Sequence, residues 1–261
     1  MFHVFGKCHL QKSAVLASPL VKMAMLRFGI HSTSKFLSQV SERYFTSSRG
    51  QWVFRGHSDQ SYQLRPSVGR GGHTSATDKK YEDSLFRIFQ REAGTHISPI
   101  PTSPWEWLAV AQHHGVPTRL LDWSQNPLVA LYFAVATNDA RPGEVFALNA
   151  PTRAAERTIG GSPFEITQPV KYYPNIVAPR IRAQEGLFIA CSEPVEKLDS
   201  NLKGDWKLER FMVPLEAKPR LRYELYRLGV HQSSLFPDLD GLSARIKWQH
   251  TVNPLGEVKT E

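Results

Sequence analysis

The sequence predicts a single α+β domain, built as a mixed or antiparallel sheet with a buried central helix. Helical segments stand among the early strands, strand-like segments fill the second half, and no regular βαβ repeat links them. A chain of 261 residues, 41% of them apolar, can bury a sizeable core. Gly160-Gly161-Ser162-Pro163 reads as an internal loop, too short to divide the chain.

Ser32-Thr33-Ser34 offers N-cap residues, and Phe36, Leu37, Val40 and Tyr44 follow at helical spacing, which predicts an amphipathic helix ending by Ser47. Gln51-Trp52-Val53-Phe54 is aromatic and β-branched, and Gly56 breaks it, so Arg55 is expected at or near the end of a strand. Leu64-Arg65-Pro66 begins an expected mobile polar loop through Gly69, Gly71 and Gly72. Tyr81, Leu85, Ile88 and Phe89 predict a helix over 78–94. Ser103, Pro104 and Glu106 supply an N-cap, a first-turn proline and a capping-box acid, and Gly115 with Pro117 supplies the stop, so 105–114 is helical. A helix over 127–137, capped by Ser124 or Asn126, is apolar nearly all round and is expected at the centre of the core. Strands are expected over 144–148, 165–172, 186–191 and 207–214, and a last helix over 219–228. The domain is bounded at 32–247, leaving 1–31 as an N-terminal extension and 248–261 as a C-terminal tail.

The formal charge of +8 and pI near 9.5 suit a polyanionic partner, yet the basic residues are dispersed apart from Lys79-Lys80 and Lys218-Arg220-Arg222, so a solvated surface accounts for most of them. No apolar window reaches the about eighteen residues of a membrane span; 16–30 is interrupted by Pro19, Lys22 and Arg27. Cys8 and Cys191 lie far apart without a CxxC, which argues against a disulfide framework or thiolate metal site and for the reducing cytoplasm. The first 41 residues lack Asp and Glu, as organelle transit peptides do, but Met23 and Met25 precede the first helix. An upstream extension or disordered tail over 1–22 is the simpler expectation. The absence of HExxH, GxxxxGK[ST], GxGxxG and GxSxG removes metalloprotease, P-loop and α/β-hydrolase readings, and no metal is expected.

Four segments stand out: Phe54-Arg55-Gly56 with Leu64-Arg65-Pro66-Ser67; Gln112-His113-His114-Gly115-Val116-Pro117-Thr118-Arg119-Leu120-Leu121-Asp122-Trp123; Arg180-Ile181-Arg182-Ala183-Gln184-Glu185-Gly186; and the run from Gly229 to Gly241. Together and in this order they resemble the FRG domain, named for the Phe-Arg-Gly of its first strand. The resemblance implies a mostly bacterial or phage family with suspected roles in toxin or defence systems.

Arg55 can clamp a phosphate or carboxylate through two N–H groups, or form a structural ion pair with Asp122, and Gly56 can let a ligand approach the backbone. Arg65 joins them as a ligand-binding candidate. His113 falls in the last turn of its helix, where the dipole favours the protonated form, and can serve as acid, base or donor, or as a stabilising helix-end hydrogen bond. Its neighbour His114 diverges by about a hundred degrees, which makes the pair a poor metal site. Thr118, Arg119 and Asp122 occupy the short link to the buried helix, where Asp122 is either a cap or, with Arg119, a wall opposite Arg55. Trp123 is expected in the core. Arg180 and Gln184 can face the same cleft from a second edge, and the segment 235–241 is expected to pack. The catalytic candidates are thus His113, Asp122 and Gln184, and the ligand-binding candidates Arg55, Gly56, Arg65, Thr118, Arg119 and Arg180.

A strand-borne Arg followed by Gly also looks like the NAD-binding Arg of the Arg-Ser-Glu class of ADP-ribosyltransferases. That resemblance implies an ADP-ribosyltransferase-like fold and NAD as substrate, with Arg55 on the phosphates. The chain has no Ser-Thr-Ser and leaves the late Glu open among Glu165, Glu185 and Glu209. The rival is a non-catalytic module for a nucleotide or nucleic acid, motivated by the basic balance and by Trp52, Trp105, Trp107 and Trp123. A metal-dependent nuclease lacks its clustered carboxylates.

Overall fold

The computed structural model describes residues 28–44, 46–47, 51–70, 79–137, 139–150, 160–175 and 178–251. Its strands are β1 Phe28–Gly29, β2 Trp52–His57, β3 Leu120–Ser124, β4 Gly143–Asn149, β5 Val170–Tyr172, β6 Gly186–Ala190 and β7 Lys207–Val213. Its helices are α1 Thr33–Tyr44, α2 Lys79–Ala93, α3 Pro104–His113, α4 Pro127–Val135, α5 Pro179–Ala183, α6 Leu198–Asn201, α7 Lys218–Arg227, α8 Gln232–Leu235 and α9 Leu239–Thr251. The strands form one sheet in the order β1-β7-β4-β2-β3-β6-β5, with β1 parallel to β7 and every other neighbour antiparallel. The α+β class and the mixed sheet are as predicted.

The sheet is nearly two sheets. β2 pairs with β4 along its whole length, from Trp52↔Asn149 to His57↔Glu144, and β3 pairs with β6 from Leu120↔Ala190 to Ser124↔Gly186. Between β2 and β3, among the described residues, only Phe54↔Ser124 is in register. Beyond that pair the two central strands part, and the sheet forks.

Helices cover one face of each half. α4 is the central helix the apolar pattern predicts, with Val129, Ala130, Leu131, Ala134 and Val135 at most 2% exposed. It packs with Phe36, Val40, Val145, Ala147, Phe211, Val213, Leu221 and Leu225 in one core cluster. Its N-terminus is capped by Asn126, whose side chain accepts from the Leu128 N–H, with Pro127 in the first turn. α3 opens with the predicted capping box, Ser103 and Glu106 satisfying each other's backbone N–H groups. Trp105 and Leu108 of α3 lie with Leu120, Tyr172 and Phe188 over the other half of the sheet. A third cluster, containing Val53, Leu121, Trp123, Phe146, Leu187 and Ile189, fills the opposite face.

Two glycines bring α4 onto its half. A Cβ at Gly56 of β2 would stand 1.9 Å from the Ala130 carbonyl oxygen, and one at Gly143 of β4 would stand 2.3 Å from that of Ala134. Gly56 therefore serves helix–sheet contact, a role that the expected ligand approach did not include.

Several expectations change. Residues 120–124 form a full strand, so Asp122 is not the cap of α4; the run Leu120, Leu121 and Trp123 is buried between β2 and β6 and reads as a short apolar strand once its partners exist. The strand expected over 165–172 shrinks to β5, because Pro163–Glu165 is a 3-10 turn. Residues 64–70 of the expected mobile loop are packed: Leu64 and Val68 are buried, the Leu198 N–H donates to the Leu64 carbonyl at 2.8 Å, and Gly69 abuts Pro194. The ordered fold also passes the expected limits, since β1 and fully buried Ile30 lie before 32, and α9 runs to Thr251. The expectations for 1–22, Gly71-Gly72 and the helix start at 78 fall outside the described residues.

Gly56→Ala is expected to lower the unfolding free energy by about 1–3 kcal/mol or more, because neither β2 nor the α4 backbone can give way cheaply. Urea unfolding of the two proteins measures it, and an unchanged midpoint and slope would contradict this contact.

Candidate functional site

The fork between β2 and β3 leaves the Asp122 carbonyl without a strand partner on the β2 side, and the Arg55 guanidinium fills the gap. Its Nη1 donates to that carbonyl at 2.5 Å and lies 3.8 Å from Asp122 Oδ2, while its Nε donates to His57 Nε2 at 3.1 Å. Among the described residues Nη2 has no hydrogen-bond partner, and 15% of the side chain is exposed, so one edge of the fork-shaped cation faces open space. Burial lowers the pKa of Arg55 and the charge of Asp122 opposes the shift. A guanidinium remains charged under such conditions.

His57 makes this geometry possible by staying neutral. It is 5% exposed and meets the Phe146 ring edge-on at 4.9 Å. Burial, reinforced by Arg55, pushes its pKa down to about 3, so Nε2 keeps the lone pair that accepts from Arg55.

A second line of support runs behind Asp122. The Thr118 hydroxyl donates to Gln112 Oε1 at 2.6 Å, which turns the amide so that Nε2 donates to Asp122 Oδ2 at 2.9 Å. Thr118, 1% exposed, thus acts on the site through Gln112 and does not reach it. The Asp122 side chain is 63% exposed and forms an open lip opposite Arg55.

Two cavities meet at Arg55. One, of about 270 Å³, lies between α3 and α4 and is walled by Gln112, His113, Asp122, Phe133, Arg180 and Gln184, with Trp123 and Phe188 among its apolar residues. The other, of about 620 Å³, continues past the end of β2 along His57, Tyr62, Arg65 and Arg70. Arg55, Gly56 and Phe133 belong to both.

The family model of the FRG domain matches residues 50–142, from the entry to β2 through α4. Over those residues the chain is similar to the FRG domain. No curated protein and no solved structure matches it. The matched FRG segment carries the fork itself, including Arg55, His57, Gln112, His113 and Asp122. The far wall lies beyond it: Arg180 sits over the Phe236 ring at 4.4 Å, and Gln184 Nε2 donates to the Leu235 carbonyl at 3.1 Å. The segment at 235–236, expected only to pack, therefore also holds two cleft residues in place.

The candidates sort clearly. Arg55, Gly56, His113, Asp122, Arg180 and Gln184 border one cavity and Arg65 the other. Arg119 borders neither and is corrected to a structural residue. It is 0% exposed, its N–H and Nε donate to the two Glu82 oxygens at 2.7 and 2.9 Å, and its guanidinium lies 5.2 Å from the Phe164 ring centre. Burial raises the pKa of Glu82, and Arg119 holds it back. His113 is also corrected: burial, then His114 and Arg180, lower its pKa against the helix dipole, so the ring is neutral at pH 7. Glu165, Glu185 and Glu209 line neither cavity; Glu185, at a φ of 47°, accepts from Asn126 Nδ2 at 3.1 Å. Trp123 is core, as expected. No cluster of His, Cys, Asp or Glu among the described residues is arranged to hold a metal, and burial lifts the Cys191 thiol to about 12, which makes it a poor nucleophile.

Sequence reasoning missed His57, Gln112, Tyr62, Arg70 and Phe133. The signal for His57 was strand periodicity, since it alternates to the same side as Arg55. Gln112 opens the most specific motif segment, but its role depends on a strand that had not been assigned.

Two outcomes follow. Glu82→Ala strands a buried guanidinium and is expected to cost about 3–5 kcal/mol in urea unfolding, whereas a loss under about 1 kcal/mol would contradict a buried pair. For His57, the folded pKa lies below the unfolded 6.5, so the stability it contributes is complete above that value and is lost as pH falls toward about 3. Wild-type stability should fall by up to roughly 1.4 kcal/mol per pH unit between about pH 6.5 and 4.5, more steeply than that of His57→Gln. Equal slopes would contradict a buried neutral imidazole.

Proposed function

We propose that the joined cavities bind a dinucleotide and that the protein is an NAD-using enzyme of the ADP-ribosyltransferase-like or NAD-cleaving kind. The observation that carries the reading is the unpartnered Nη2 edge of Arg55 at the junction of the two cavities, a placement suited to a pyrophosphate. The smaller cavity offers an apolar wall and the Gln184 amide to a nicotinamide riboside. With no Glu among the described residues lining either cavity, Asp122 takes the carboxylate role. As the bond between ribose C1′ and the nicotinamide nitrogen breaks, nicotinamide leaves with the electron pair and Asp122 stabilises the ribosyl cation. Neutral His113 accepts the proton of the water or acceptor hydroxyl that adds to C1′. The family resemblance suggests the setting, a toxin or defence system.

Purified protein incubated with NAD should release nicotinamide. Arg55→Ala should weaken NAD binding about 10- to 100-fold, the value of a charge-assisted contact. Asp122→Asn should bind NAD while losing release. Binding without release in the wild type would favour the non-catalytic nucleotide module, and no NAD binding at all would overturn the reading.

A further inference from the structure

The larger cavity holds more positive charge than a single pyrophosphate needs. Arg55, Arg65 and Arg70 line it, and among the described residues no carboxylate does. Neither Arg65 nor Arg70 forms an ion pair among the described residues. The two are held together, because Arg70 Nε donates to the Arg65 carbonyl at 2.8 Å. Arg70 is exposed at the rim, while Arg65 is half-buried and its Nε is enclosed without a hydrogen-bond partner. Arg70 also lies near enough to Arg55 and His57 to lower the pKa of both. Three like charges gathered on one wall repel one another, and an anion is what relieves the repulsion. Tyr62, 54% exposed on the same wall, offers a ring on which a base can stack.

Resting on the dinucleotide reading above, we infer that Arg65 and Arg70 form a second phosphate subsite, distinct from the contact at Arg55. The preferred ligand then carries a further phosphate on its adenosine ribose, as NADP does and NAD does not. Guanidiniums are the groups that accommodate such a ribose phosphate where dinucleotides are discriminated. The nicotinamide half keeps the smaller cavity, Arg55 spans the pyrophosphate, and the adenosine half with its extra phosphate occupies the larger cavity.

The test is calorimetric titration of the full chain with NAD and with NADP, repeated on the Arg65→Gln/Arg70→Gln variant. Wild type should bind NADP about tenfold tighter or better, in keeping with one or two charge-assisted contacts. The double variant should bind the two about equally. Equal affinities in the wild type, or a preference that survives the double substitution, would overturn the subsite and leave the proposed function standing. Binding of neither dinucleotide would overturn both.

Discussion

A sheet joined across its centre by one residue pair has to close the gap it leaves, and here a charged side chain closes it. Past Phe54↔Ser124 the backbone of β3 offers its Asp122 carbonyl to no strand. Arg55 takes the place of the missing strand by donating to that carbonyl. An apolar residue would fill the space without satisfying the oxygen. A lysine would bring charge without the two-edged geometry that lets one side of the head group hold the strand while the other faces the cleft. The structural and functional readings of Arg55 are therefore one arrangement: the contact that closes the fork also aims the cation.

The rest of the fold maintains this fork. α4 is drawn onto β2 and β4 through Gly56 and Gly143, and α3 stands over β3 and β6, so the cleft is the space between two helices that each belong to a different half of the sheet. Buried pairs brace the margins. Arg119 and Glu82 tie α2 to the start of β3, and the Lys218 ammonium donates to the Ser58 carbonyl at 2.7 Å beyond the end of β2. Both use a cation to satisfy groups that the diverging chain leaves exposed to the interior. The electrostatics of the site follow from the same enclosure, which keeps His57 and His113 neutral while Arg55 remains a cation.

How legible this was depended on the range of the interactions. The capping box of α3, the apolar surround of α4 and the aromatic run of β2 are local signals, and each predicted its element. β3 was not legible, because Leu120, Leu121 and Trp123 look like part of a link until β6 is known to lie beside them. With β3 unassigned, Asp122 was taken for a possible cap, and Arg119 for a cleft residue, although its partner Glu82 is 37 positions away in sequence. Gly56 illustrates a different limit. A glycine after a strand arginine suits close approach of a ligand or of a helix, and only the position of α4 reveals the helix. The helix dipole at His113 is a local expectation, whereas burial and the neighbouring His114 and Arg180, which lower its pKa, are set by the fold.

The central claim is that the exposed edge of Arg55 is a phosphate contact and not merely a brace for β3. The most direct measurement is the affinity of NAD for Arg55→Lys beside wild type, with thermal unfolding showing that the variant is folded. Lysine keeps the positive charge and gives up the planar fork. The account predicts a folded variant that binds NAD at least about tenfold more weakly. A folded variant with wild-type affinity would contradict it and leave Arg55 a structural residue alone.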